Sequence, residues 1–198
     1  MKKRHAAIDP PLAAVLLLAA CAFAGGATAA PLSKTEYRLD HERAQAAYKL
    51  EWDSCRKLQG NPRDACKVEA RGHFQIAKAE VEARHKRTPK HEDKVKLARA
   101  EAAFRLASEK CDVLAGNAKE VCKLDAKATW VAARSEASLS RASVDKGVYS
   151  RKATIERNDA REDTADALYA AAKERCDTLS GEARASCVGD AKKKFGKL

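Results

Sequence analysis

One unit occurs three times in this chain, and it constrains the architecture more than any other feature. Cys55-Arg-Lys-Leu58-Gln-Gly60-Asn61 leads to Cys66, Cys111-Asp-Val-Leu114-Ala-Gly116-Asn117 leads to Cys122, and Cys176-Asp-Thr-Leu179-Ser-Gly181-Glu182 leads to Cys187. Each copy reads C-x2-L-x-G-x5-C. The likeness extends outward. Seven residues before each first cysteine stands an aromatic (Tyr48, Phe104, Tyr169), four after each second cysteine an alanine (Ala70, Ala126, Ala191), and eight after it another aromatic (Phe74, Trp130, Phe195). The first cysteines lie 56 and then 65 residues apart, so the array is not a strict solenoid.

Each unit reads as helix, tight turn, helix. Leu97, Ala100, Phe104, Ala107, Cys111 and Leu114 recur every three or four residues and share one helix face. Ala165, Tyr169, Ala172, Cys176 and Leu179 repeat that face. In copy one Ala44, Tyr48, Cys55 and Leu58 keep it, but His41 and Glu51 fall on the same seam. The glycine suits the left-handed position that ends a helix. Asn61 and Asn117 then suit the cap of the next one; Glu182 stands there in copy three and predicts a looser start. Both cysteines of a unit fall at about the same height in an antiparallel pair, roughly 7 Å from the turn at 1.5 Å per residue. The expectation is three local disulfides, Cys55–Cys66, Cys111–Cys122 and Cys176–Cys187, each worth ~2–3 kcal/mol. Zinc binding is the alternative use of the thiols, but no C-x2-C pair of the usual metal spacing occurs.

Elsewhere the punctuation is sparse. Ser33-Lys34-Thr35-Glu36 has capping-box form and starts a helix of about 34–58. A second runs over about 62–86, and Arg87-Thr88-Pro89 breaks it. A third covers about 90–115 and a fourth begins near 118. It either continues as one long bent helix to 179 or breaks near 143–148. The last helix covers about 183–195. The fold class is therefore all-α: an elongated set of antiparallel helical hairpins with coiled-coil-like seams, its three stapled units at about 34–86, 90–142 and 150–198.

The first 29 residues read as a signal peptide: Lys2, Lys3 and Arg4, then the apolar stretch Leu12 to Ala24, then small residues up to a cut after Ala29. A competing reading takes Leu18-Ala19-Ala20-Cys21 as a lipobox, with Cys21 lipidated and the protein an outer-membrane lipoprotein. The chain has seven cysteines. With Cys21 in the leader, the remaining six are even, as a disulfide framework in an oxidising compartment requires. Localisation is thus expected to be periplasmic.

Removing the leader takes away three basic residues and one acid, so 39 Lys+Arg against 28 Asp+Glu becomes 36 against 27, a net charge of +9. Ala makes up 32 of the 169 residues that remain. Such a chain favours helix but lacks the bulky apolar residues of a wide enzyme core. No apolar run long enough for a transmembrane helix follows the leader. No G-x-S-x-G, Walker loop, G-x-G-x-x-G or H-E-x-x-H occurs. The stapled cysteines lack the C-x-x-C form of redox enzymes. His85 and His91 flank Pro89 beside Lys86, Arg87 and Lys90, and read as solvated histidines rather than metal ligands. No enzyme activity, cofactor or metal is expected.

Charge is level along the chain, with 13 basic residues against 9 acidic in 31–88, 12 against 9 in 89–147 and 11 against 9 in 148–198. Nucleic-acid proteins usually concentrate their charge, so nucleic acid is not the expected partner. Two local clusters stand out: Arg84, Lys86, Arg87 and Lys90, and the tail Lys192, Lys193, Lys194 and Lys197. They are a solubilising rim, or contacts for anionic envelope polymers through charge attraction. The six repeat aromatics read as seam packing, each upstream ring meeting the downstream ring of its own unit.

The start Ala29-Ala-Pro-Leu-Ser-Lys34 and the repeated C-D-x-L-x-G-N-A-K-x-x-C unit, matched best by residues 111–122, resemble a group of small exported Cys-repeat helical proteins of Gram-negative bacteria. Some of these are loosely labelled TolA-like cell-envelope proteins. The resemblance covers the mature chain and implies a periplasmic, helical, disulfide-bonded protein; it supplies no catalytic or binding residue. The resulting expectation is a non-enzymatic periplasmic cell-envelope protein acting through helical surfaces, structural or stress-related, in contact with anionic polymers or other envelope proteins. The alternative is a chaperone-like binder of unfolded clients.

Overall fold

In a computed structural model, residues 30–146 and 150–197 are described, with the side chains of 141–146 left out of account. The leader and Cys21 lie outside the described residues. Six α-helices occur among the described residues, with no strand: α1 (Lys34–Ser54), α2 (Gly60–Lys86), α3 (Pro89–Lys110), α4 (Gly116–Lys146), α5 (Arg151–Cys176) and α6 (Gly181–Phe195). They pack in chain order, each against its sequence neighbours. Neighbours run antiparallel, since only a few residues separate the end of each helix from the start of the next.

All three stapled turns come to one end. Disulfides Cys55–Cys66, Cys111–Cys122 and Cys176–Cys187 join the helices across them. Cys55, Cys111 and Cys176 are the most deeply buried large side chains in the fold, and the rest of the core is mostly alanine. That is the expected economy of a thin helical layer, in which covalent closure of the turns replaces bulky packing. At the opposite end, the base, lie the start of α1, the α2–α3 turn, the end of α4 and the start of α5.

The turns differ from expectation in their interior. Leu58 and Leu114 do not continue the helical face. After Ser54 and Lys110 the chain tightens into a 3₁₀ turn, and each leucine is then extended and about two-fifths exposed. Gly60, Gly116 and Gly181 do adopt left-handed φ of 60°, 55° and 57°. They do so at the entrance of the second helix rather than the exit of the first. Asn61 and Asn117 are not caps. Asn61 Nδ2 donates to the Glu109 carbonyl at 2.9 Å, and Asn117 Nδ2 to the Glu174 carbonyl at 2.8 Å and to Glu174 Oε1 at 3.1 Å. Each asparagine thus binds the next unit, two residues before its first cysteine. Glu182, a carboxylate, cannot donate such a bond.

The other landmarks follow the sequence. Ser33 and Glu36 form the capping box, through bonds of 2.8 and 3.2 Å. Arg87 takes a left-handed φ of 43°, Thr88 is extended, and Pro89 opens α3. The fourth helix does not run on to 179: α4 ends at Lys146 and α5 starts at Arg151, capped by Ser150. The repeat aromatics meet in two units. Tyr48 stacks on Phe74 with centroids 5.1 Å apart, and Phe104 on Trp130 at 5.4 Å. Among the described residues no matching pair joins Tyr169 and Phe195.

Candidate functional site

Packing α3 between α2 and α4 leaves a trough over α3. Its small residues explain how close the floor is: a Cβ added to Gly72 would lie only 2.9 Å from Cβ of Ala102, so α2 and α3 are close-packed there with no room for a further side-chain atom. The trough holds about 1080 Å³ and is open to solvent. Leu97, Ala98, Ala102 and Phe104 line it from α3, Val68, Gly72 and Ala79 from α2, and Leu124 and Trp130 from α4. A smaller trough of about 520 Å³ lies between α4 and α5. Leu124, Lys127 and Arg134 line both, so they form a crest on α4 and the two troughs open on the same face.

Phe104 and Trp130 were expected only as seam packing. They do stack, and both are half-buried, so the pair also presents ring surface to the trough. A period-3.6 count marks such positions as interior; only the thinness of the layer leaves them accessible.

The trough's charges are unevenly satisfied. Glu82 holds Lys94 at 3.4 Å, and Glu101 holds Arg105 at 2.7 Å. Asp112 receives Lys119 and Lys123, both at 2.9 Å. Hydrogen bonds from Lys119 and Lys123 keep the Asp112 carboxyl below its usual range, and the bond to Asp112 holds the Lys123 ammonium above its own. Other cations rest on rings: Arg134 on Trp130 at 5.4 Å, Lys78 on Phe74 at 5.4 Å and Arg71 on Trp52 at 5.8 Å. An open, half-apolar channel rimmed by charge can hold a chain segment along its length. Among the described residues no group of three or more His, Cys, Asp or Glu converges as a metal site would require.

Three histidines are hydrogen-bonded; His73 stays exposed, whereas His85 and His91 are half-buried rather than fully solvated. His73 Nδ1 lies 2.9 Å from Glu51, which brings the seam glutamate of copy one into a bond across α1 and α2. His85 Nδ1 meets the Leu32 carbonyl at 2.7 Å and its ring lies 4.9 Å from Tyr37. His91 Nδ1 lies 2.7 Å from Thr88 Oγ1. Burial, then the nearby Lys94 and Lys86, push the His91 pKa down.

The two predicted basic clusters have separate fates. In the tail, Lys193 pairs with Asp190, Lys194 lies over Phe195, Lys197 pairs with Asp166, and Lys192 is exposed. At the α2–α3 turn Arg84 pairs with Asp40 at 3.0 Å, whereas Lys86, Arg87 and Lys90 are exposed. The fold does not bring the two clusters together, because one lies at the base turn and the other on α6. Among the described residues no helix is long and apolar enough to cross a membrane. The three disulfides fit an oxidising compartment. Comparison with protein-family models, with curated proteins and with solved structures gave no match.

Proposed function

We propose that the chain is a non-enzymatic periplasmic protein of the cell envelope that acts through its helical surfaces, holding a segment of a partner envelope protein in the trough over α3. The observation that carries this reading is the open channel of about 1080 Å³ with the Phe104–Trp130 pair on its wall. A photocrosslinker at Gln75, which lines the trough, is compared in the intact envelope with one at Leu50, three-quarters exposed on α1. Gln75 alone should capture one discrete protein. The captured segment, made as a peptide, should then shift Trp130 fluorescence in a Trp52→Phe background. Equal capture from both positions, or no fluorescence change, removes the reading.

The openness of the same channel favours a second reading, a chaperone-like binder of unfolded clients. It predicts suppressed aggregation of a heat-treated or reduced client, and no effect at stoichiometric excess removes it. Export rests on the leader and on the disulfides. Mass spectrometry of the mature N-terminus decides between cleavage after Ala29 and a lipidated Cys21.

A further inference from the structure

The base carries an unusual set of cations. Lys34 begins α1; Lys86, Arg87 and Lys90 surround the α2–α3 turn; Arg151 and Lys152 begin α5. All six are exposed, and among the described residues none has an ion-pair partner. The acids described near them are largely engaged: Glu36 closes the capping box, Asp40 holds Arg84, Glu82 holds Lys94 and Asp93 is buried beside Lys96, while Glu92 is exposed beside the turn.

At the disulfide end Lys57, Lys110 and Lys173 are exposed too, but six other cations are paired. There Arg56 pairs with Asp53, Arg63 with Asp64, Lys119 and Lys123 with Asp112, Arg175 with Asp125, and Arg184 with Asp177. The placement at the base also runs against local stability. Arg151 and Lys152 open a helix whose first turn holds no acid, where the macrodipole disfavours positive charge.

We infer that the base is a docking edge for an anionic lipid bilayer. Its cations sit on the ends of helices from α1 to α5 in a single layer. With neighbours roughly 8–10 Å apart, that is an edge of about 35 Å. Cations spread over that length match an extended surface of headgroup phosphates better than a single small anion. The strap that leads into α1 is held at the same edge, since the Leu32 amide donates to the Arg84 carbonyl at 3.3 Å and the Leu32 carbonyl meets His85. This inference stands on charge placement and does not depend on the trough.

The test is sedimentation of the disulfide-bonded protein with vesicles of equimolar phosphatidylethanolamine and phosphatidylglycerol, against vesicles of phosphatidylcholine. Binding to the anionic vesicles alone, weakening as salt rises, is expected. The variant Lys86→Gln/Arg151→Gln/Lys152→Gln should bind about a hundredfold more weakly, at ~1 kcal/mol per cation. The control Lys57→Gln/Lys110→Gln/Lys173→Gln carries the same net charge but changes exposed cations toward the disulfide end, and should lose less than about threefold. Equal losses in the two variants would show that net charge alone acts, and would overturn the inference. So would failure to bind anionic vesicles at low salt, or binding to soluble anionic polymer while vesicles stay free. Circular dichroism and non-reducing peptide maps confirm that both variants keep the fold.

Discussion

Gly72→Ala and Gly189→Ala are the same chemical change inside two helices, and the structure gives them opposite signs. In a helix interior alanine is favoured over glycine by about 1 kcal/mol. At Gly189 in α6 an added Cβ meets nothing within 4 Å, so that gain is kept. At Gly72 the new Cβ would lie 2.9 Å from Cβ of Ala102 and 3.5 Å from its Cα. Carbon atoms rest at about 3.5–4.0 Å, so the α2–α3 seam must open by roughly 0.6 Å or more. Neither partner has a flexible end that can turn aside. Overpacking of this kind costs ~1–3 kcal/mol, leaving a net loss of up to about 2 kcal/mol after the propensity gain. Urea unfolding followed by far-ultraviolet circular dichroism reads both changes. Adding Ala102→Gly to Gly72→Ala should recover at least about 1 kcal/mol as a coupling term. If Gly72→Ala stabilised the protein as Gly189→Ala does, Gly72 would not be packed against Ala102, and the closed floor of the trough would be wrong.

Three further outcomes are expected. Cys111→Ala/Cys122→Ala frees a loop of sequence separation 11 and should lower the urea-derived stability by about 3 kcal/mol; an unchanged midpoint would refute the stapling argument. Asn117→Ala should cost ~1 kcal/mol or more and Asn61→Ala somewhat less, because only Asn117 also reaches a side-chain oxygen, and hydrogen exchange should quicken at the turns they join. His91 has a lowered pKa in the fold, so the unfolded chain binds its proton first. Its effect on stability is absent well above its ordinary pKa of about 6.5 and appears as a loss as pH falls through that value. His91→Gln should flatten that part of the pH–stability curve, and an identical curve would remove the burial argument.

Much of the fold was legible because the chain says the same thing three times. A single C-x10-C is ambiguous among many pairings. Three copies with matching aromatics and alanines reduce the problem to one local hairpin. The capping box at Ser33 and the break at Pro89 were legible for a related reason, since each is settled by contacts within four residues. What failed lies inside the turns. Asn61 and Asn117 have the right type for a cap, and the sequence cannot say that their partners stand 48 and 57 residues away. Leu58 and Leu114 continue the helical rhythm in sequence, but the 3₁₀ tightening at Cys55 and Cys111 rotates them out of it.

The candidate surfaces were hidden for a different reason. Counted along the chain, charge is level, because cations and acids alternate in every helix. Antiparallel folding then sorts them by height rather than by sequence. The stapled turns gather acids that pair with their cations, as Asp53, Asp64, Asp112 and Asp177 do. The base holds Lys86, Arg87 and Lys90 at the α2–α3 turn and Arg151 and Lys152 at the start of α5, all exposed, while Asp40 and Glu82 are engaged by Arg84 and Lys94. A sum over thirds averages these two ends by construction. The trough escaped for the same geometric reason. Phe104 and Trp130 obey the rule for buried positions, but one layer of helices has only one neighbour on each flank and none above, so rings that satisfy the seam still face outward. In a protein this thin, the residues that hold the helices together and the residues available to a partner are in part the same. Substitutions at Phe104 or Trp130 should therefore change stability and binding together, whereas Gln75 and Lys127 are the places where binding can be altered alone.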